Sequence, residues 1–526
     1  MPFLKNHIAM YRYICILGSI LTFFLYCTTA TGQPLNRVDD FGYIFNFYND
    51  AVVGHEGEIL GFGYVHVNFD EGPEIGVLIG KYTPEGALTT HRVFTDTSFV
   101  DTILNKLAIS RFYGGLIPTS DGGYLFNAVT SRSNAIVVKL DSELEETFRY
   151  EYEDSTSNSS FSAVEPIEVE GGYLLYGTAT GLDGYAEPFV RRINHAGETE
   201  WMRYYGEEGV AEICGDAAMV GDSILVMGCR LFDQSINVFY KIRITDGAPL
   251  GSWFSETDPE MGWIRELTTL PEGGIITYGL QPQSQNEDGS WTVQPVLSRL
   301  DTAFLLQWST LIGYPYRANG GVNTLHDLKP VSDGNIIGSG QIVTEVNGEP
   351  ELTGWLIKFT PEGDTLWSRN YLPPFEQEGN WALRGEFGRF GELPNGDLVV
   401  GGRAQGDGTR NCWLVRTNSE GCIGQDSCEY LVHAGQLLPP PAQPKLSVFP
   451  NPASRHLTVA WPGAAPTGTS YFKLYNMQGQ SVWSVAKPSA PEVPLQLPEL
   501  PPGVYALRVE VEGQAWVERV VIRDKG

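Results

Sequence analysis

Seven of the eight histidines lie beyond residue 33, at His55, His66, His91, His195, His326, His433 and His456, and nothing in their spacing makes them ligands or bases. A zinc site needs His or Cys at short fixed intervals, and a nucleophilic triad needs a Ser or Cys with a placed acid. The chain has no HExxH, no GxSxG elbow, no P-loop, no GxGxxG after a strand and no sialidase-type Asp box. Carboxylates are the one abundant reactive group: 63 Asp and Glu stand against 35 Lys and Arg, a formal net charge of −28. Glycoside cleavage would need two of them facing each other across a bond, and spacing singles out no pair. A solvated acidic surface is the simpler account, so no catalytic residue is assigned. The same charge excludes nucleic acid as a partner, because phosphates require a basic surface. Two acidic turns, NEDGS (Asn286 to Ser290) and GDGT (Gly406 to Thr409), have the loop oxygens that calcium takes, and ordinary hairpin turns explain them as well. No cofactor is assigned beyond that calcium option.

The amino terminus sets the compartment in which any cysteine chemistry would occur. Lys5 and Arg12 precede an apolar run from Tyr13 to Cys27 and then the small residues of TTATGQ. That order is the pattern of a cleaved signal peptide over residues 1–32, with cleavage after Ala30 or Gly32. The run is short for a membrane span, and no later stretch is apolar enough, so the mature protein is expected to have no spanning segment. Export permits disulfides. Cys422 and Cys428, close together in a turn-rich segment, are the first candidate pair, and Cys214 with Cys229 is the second if their strands are neighbours.

Stepping along the chain exposes a repeat. A turn glycine, an apolar pair and a closing small residue recur seven times, the closing residue being Gly63, Ala128, Gly177, Gly228, Gly279, Gly340 and Gly402. The intervals are 65, 49, 51, 51, 61 and 62 residues. Each copy continues into a second apolar strand ending at a basic residue: Lys81, Lys139, Arg192, Arg243, Arg299, Lys358 and Arg416. An outer aromatic follows in five copies, Phe148, Trp201, Trp253, Trp308 and Trp367. Four strands per unit of this length is the signature of a β-propeller blade. Seven copies predict seven blades. The basic residues are expected to have a repeat-structural role beside carboxylates, and the aromatics to pack blade on blade. The last copy lacks an outer strand, so the amino-terminal segment Asp40 to Tyr48 is predicted to supply it and close the ring. The longer intervals carry insertions at Phe94 to Lys106, Gln281 to Trp291, Tyr314 to Val322 and Pro373 to Arg384, the expected carriers of function.

The lines SDGNIIGSG with GWLIKFTPEGDTLWSRNY, and EGGYLLYG with PFVRRINHAGETEWMRYYG, resemble the Asp-Gly-rich propeller repeats of bacterial secreted proteins. They are more loosely similar to kelch and quinoprotein blades. This resemblance implies a fold and no activity.

A Pro-rich linker is expected over residues 431–445, after which strand-length runs such as HLTVAW, YFKLYN and GVYALRVEV build a small domain over 446–526. VFPNPASRHLTV with Pro450, Asn451 and Pro452, FKLYNMQGQSVW with Gly479, and LPPGVYALRV with Gly503 and Tyr505 resemble the type A C-terminal sorting domain of type IX secretion cargo in Bacteroidota. The resemblance implies periplasmic export, recognition by the outer-membrane translocon as partner, and a destination on the cell surface or outside. As residues, Asn-Pro makes a turn and Gly479 serves a hairpin.

The expected protein is all-β: a seven-bladed propeller over residues 33–430, then a small Ig-like β-sandwich. The expected function is a secreted or surface binding or adhesion module without catalysis, taking a glycan or protein ligand. A polysaccharide hydrolase or lyase is the alternative, and it requires carboxylates converging at the central channel.

Overall fold

The computed structural model describes residues 35–423 and 446–523, apart from 44, 69–73, 96–106, 109–114, 131–134, 153–161, 164, 181–183, 208, 232–235, 256–258, 287–290, 318–322, 347–348, 375–383, 407–408, 462–467, 476–480, 499 and 512–513. It divides into two compact units, Met1–Ala434 and Gly435–Gly526.

The first unit is a seven-bladed β-propeller whose antiparallel sheets run, in chain order, from the central axis outward. The innermost strands are Asn46–Val53, Leu116–Pro118, Ile167–Val169, Glu212–Val220, Trp263–Thr269, Thr324–Pro330 and Arg384–Glu392. The second strands are the apolar runs of the glycine phrase: Ile59–Asn68, Tyr124–Thr130, Gly172–Thr180, Ile224–Leu231, Ile275–Gln285, Ile336–Val346 and Leu398–Gly406. Residues such as Leu60, Phe62, Leu174, Leu225 and Ile276 are buried there because both faces of each sheet are covered by neighbouring blades. The sixth and seventh sheets are joined by one parallel pair, Leu352 with Arg384.

The closing glycine of the phrase answers to a bulge. Five innermost strands carry a register shift at one level: Tyr48 to Asp50, Cys214 to Asp216, Ile264 to Glu266, Leu325 to Asp327 and Phe387 to Phe390. Gly63 pairs with Tyr48, Gly340 with Leu325 and Gly402 with Phe387, facing three of those bulges. A Cβ on these glycines would fall inside the van der Waals shell of the carbonyl oxygens of Phe47, Thr324 and Glu386. A bulged strand bends toward its partner, and only glycine tolerates the approach.

The repeated basic residues clamp adjacent blades. Lys81 donates to Ser142 O at 2.6 Å, Arg192 to Ile244 O at 3.0 Å, Arg299 to Pro361 O at 3.1 Å and Lys358 to Ser419 O at 3.1 Å. Arg416 reaches Pro84 O, which carries the series from the seventh blade to the first. Each acceptor lies in the turn that follows the next blade's third strand. The fourth blade departs from the expectation: Lys241 reaches Thr302 O at 2.8 Å, while Arg243 bonds Asp246 in its own turn. Lys139 instead pairs with Asp121 at 2.8 Å. The indoles of Trp201, Trp308 and Trp367 lie over Gly247, Gly363 and Gly421 of the following blade, so these aromatics are packing residues.

The ring is closed by Leu35–Asp39, which pairs antiparallel with Thr409–Thr417 from Leu35 opposite Arg416 to Asp39 opposite Cys412. The closing strand therefore precedes the predicted segment Asp40 to Tyr48, whose end instead begins the innermost strand of the first blade. The aromatic residues Phe47 and Tyr48 favour that fully enclosed position, whereas the polar alternation of LNRVD suits an outer edge. Asn36 Oδ1 accepts from Trp413 Nε1 at 2.7 Å, and Asp39 Oδ2 accepts from Tyr82 OH at 2.8 Å, tying the strand to two blades. Deleting residues 33–39 should cost roughly 5 kcal/mol at about 1 kcal/mol per lost hydrogen bond, read as a lower melting temperature and concentration-dependent aggregation from the bared edge. An unchanged cooperative melt would show that the ring does not need this strand.

The second unit packs a three-stranded and a four-stranded sheet on one core containing Leu457, Val459, Phe472, Leu474, Leu507 and Val509. The Phe449–Pro450 and Asn451–Pro452 peptide bonds are cis. Asn451 Oδ1 accepts from Val521 N at 2.8 Å and anchors this turn to the last strand. Tyr505 OH donates to Pro501 O at 2.8 Å, beside Gly503. Gly479 lies outside the described residues.

Candidate functional site

Each bulge turns one side chain toward the axis. The positions are Asp50 in the first blade, Asp216, Glu266 and Asp327 in the fourth to sixth, and Arg389 in the seventh. Gly115 and Glu165 hold the corresponding places in the second and third blades. All lie thirteen residues ahead of the closing residue of their copy, or twelve in the third and fourth copies. A Cβ on Gly115 would sit 2.9 Å from Arg389 Nη1 and from Glu165 Cγ. The missing side chain is the space those two occupy, and they pair there at 3.2 Å.

Two of the acids also hold neighbouring blades together. Asp216 Oδ2 accepts from Leu267 N at 3.0 Å and its Oδ1 from Tyr176 OH and Ala217 N at 2.8 Å. Asp327 Oδ2 accepts from Phe390 N at 3.1 Å and lies 3.1 Å from Lys329 Nζ. Asp50 differs: it is 2% exposed and neither oxygen has a hydrogen-bond partner.

Burial raises the Asp50 carboxyl to about 7, against the pull of Lys329 and Arg389, with Glu165 and Asp327 pushing it further up. Burial likewise raises Asp216 to about 6, while the Leu267 amide, Arg389 and Tyr176 moderate it. Glu266 is raised well above the carboxylate range by burial and by Asp216. For Arg389 and Lys329 burial opposes the charge, and the surrounding carboxylates outweigh it and hold both cationic. Perturbed acids at a cavity mark a functional-site candidate, and two of these, Asp216 and Glu266, line one.

The cavity beside this ring has a volume of about 410 Å³ and is lined by Glu165, Asp216, Glu266, Asp327, Lys329 and Arg389 together with Tyr176, Met219 and Thr269. It runs along the carboxyl-terminal halves of the innermost strands, toward the face that carries the glycine-phrase turns. Met219, Thr269 and Lys329 are half-exposed at that end. The described residues that flank the four insertions lie at the opposite ends of the strands, and most residues of the insertions themselves fall outside the described set.

The structure gives the other sequence candidates ordinary work. His55 Nε2 lies 2.6 Å from Thr119 O, His326 Nδ1 lies 2.8 Å from Phe387 O, and His66, His91 and His195 pack against aromatic rings. Cys214 and Cys229 are direct cross-strand partners flanking the Gly215 bulge, but they are buried free thiols, so the bond expected between them is not formed. Burial and the neighbouring Cys214 raise the Cys229 thiol, which keeps it protonated and unreactive. Cys422 is disulfide-bonded; its partner, and Cys428, lie outside the described residues. Among the described residues no three His, Cys, Asp or Glu side chains are grouped to hold a metal ion, and parts of both acidic turns are not described. No helix among the described residues is long and apolar enough to cross a membrane.

Residues 447–523 match the family of secretion system C-terminal sorting domains. This is an exported protein. The sorting domain, of type IX secretion, sends it through the periplasm to the cell surface or beyond. No curated protein matches the chain. Among solved structures it is similar to a mutant of the α-L-arabinofuranosidase Arb93A from Fusarium graminearum in complex with an iminosugar inhibitor, at a TM-score of 0.36 and 10% identity over 73% of this chain and 97% of that one. It is also similar to a neuraminidase-like protein of A/flat-faced bat/Peru, at a TM-score of 0.36 and 9% identity over 75% and 95% of the two chains. Nothing about activity follows from likeness at this level.

Proposed function

We propose that the exported protein is a binding module without catalysis, and that its ligand site is the central channel of the propeller. The observation that supports this most is the cavity with an ionisable side chain from five successive blades at its base. A cavity this size takes a small polar ligand or the end of a chain, and groups fixed on seven rigid sheets need little reorganisation to hold it. The insertions on the opposite face are second in line.

The delivery route completes the proposal. Residues 1–32 are removed at the inner membrane, residues 431–445 link the two units, and Pro450, Asn451, Pro452, Gly479, Gly503 and Tyr505 shape the surface that the translocon reads, as in cargo of Bacteroidota. Truncation at Gln436 should leave the propeller in the periplasm, measured by fractionation and surface labelling; normal surface display of the truncated chain would sink the sorting role. Glycan-array and metabolite binding by the exported chain tests the binding reading.

One observation favours a second reading, a glycan hydrolase or lyase. Burial raises the Asp216 carboxyl, in the cavity wall, to about 6, and a carboxylic acid that holds its proton in mild acid is what glycosidic cleavage needs as general acid. Turnover on a polysaccharide panel, lost in Asp216→Asn, would establish it and displace the first.

A further inference from the structure

The charges around the channel do not balance. Glu165 is matched by Arg389 at 3.2 Å and Asp327 by Lys329 at 3.1 Å. Asp216 is satisfied by hydrogen bonds, but among the described residues no cation forms an ion pair with it. Glu266 lines the cavity in the field of Asp216 and Asp327, with Arg389 and the bulge residue Arg265 as its nearest positive charges. Asp50, 2% exposed and unpartnered at both oxygens, faces Lys329 and Asp327 from the sixth blade, Arg389 from the seventh and Glu165 from the third. Three carboxyls thus have no cation of their own among the described residues, and one of them, Asp50, is also fully enclosed without a hydrogen bond.

Building on the channel reading, we propose that the channel ligand is an organic cation, a molecule or chain end bearing primary ammonium groups that seat against Asp216 and Glu266 in the cavity wall, with the buried Asp50 carboxyl near Lys329 and Arg389 as a further acid of the same ring. A buried carboxylate without a partner is costly, and a ligand that donates N–H bonds and carries positive charge removes that cost. The carboxyls are too dispersed for one metal ion among the described residues, whereas ammonium groups spaced along a flexible chain can meet them singly. Binding expels the proton that Asp216 otherwise holds in mild acid, so affinity rises as pH rises through its titration.

The test uses the mature full-length protein and four probes: spermidine, 1,4-diaminobutane, butane-1,4-diol and glucose. Calorimetry and thermal shift should find spermidine bound, diaminobutane bound less tightly, and both neutral probes silent. Proton release, read as heats that differ between buffers, should accompany binding, and affinity should rise between about pH 5 and about pH 8. Glu266→Gln and Asp216→Asn, each nearly isosteric, should weaken spermidine about tenfold or more, the equivalent of one lost close charge pair. If a neutral probe binds and the amines do not, the cationic class is wrong and the channel reading stands. If amines bind equally well to both variants, they sit elsewhere on the acidic surface and the proposal fails. If no probe binds, the proposal fails, and the search of neutral ligands decides the channel reading separately.

Discussion

Asp50→Asn should make the propeller more stable at neutral pH, and the gain should vanish in acid. The sign follows from the direction of the shift. In the unfolded chain this carboxyl titrates near 3.8, and in the fold it titrates at about 7. Between those values the native state keeps a proton that the unfolded state has released, so native stability falls as pH rises and levels off above about 7. At 1.36 kcal/mol per unit the loss is roughly 4 kcal/mol at most, because water entry would relieve part of it. The asparagine has no charge to desolvate and removes the slope. Denaturant melts of both proteins at about pH 4, 6 and 8 give the difference. A variant less stable than the parent at about pH 8 would mean that Asp50 is ionised and paired, which contradicts the geometry around it.

The larger mutational effect belongs to the glycines that close the repeated phrase. Gly340→Ala should destabilise by about 3 kcal/mol or more, because its Cβ would collide with the carbonyl of Thr324 rather than with a side chain that can turn away. Gly63→Ala and Gly402→Ala meet the same obstacle at Phe47 and Glu386 and should behave alike. Gly334→Ala is the informative contrast. It sits in the turn at φ +84° with open space around it, so its cost is conformational, about 1 kcal/mol, and its collision term is absent. Equal effects at Gly334 and Gly340 would show that the bulge does not dictate the closing glycine.

That contrast explains what could be read from the chain and what could not. The blades were legible because glycine, apolar pair and basic residue recur in fixed order, each imposed by local geometry or by contact with the next blade. The ring at the axis was not, although its trace lies twelve or thirteen residues ahead of each closing residue. Its members are Asp, Gly, Glu, Asp, Glu, Asp and Arg, so no residue type repeats throughout, and the offset changes where a turn is shorter. Only the bulge, invisible in composition, equates them. The closing strand was misplaced by a few residues because Phe47 and Tyr48 are better strand formers than Leu35 to Asp39, and propensity does not distinguish an inner strand from an outer one. Cys214 and Cys229 were candidates for a bond on condition that their strands are neighbours; the strands are neighbours, yet both thiols are free, because adjacency alone does not make a disulfide. Arg243 stands beside a carboxylate as expected, Asp246 of its own turn, while the clamp to the next blade, which the sequence did not reveal, is made there by Lys241, two residues earlier on the same face of the strand.

The central claim is that ligand enters the channel rather than the long insertions on the other face. The measurement that tests it most directly is binding of one identified ligand to three forms of the exported protein: the parent, Glu266→Gln, and a form with residues 375–383 replaced by a short glycine-serine link. The account predicts that Glu266→Gln loses binding by about tenfold or more while the loop replacement binds like the parent. Full binding by Glu266→Gln together with loss in the loop replacement would contradict it and move the site to the insertions.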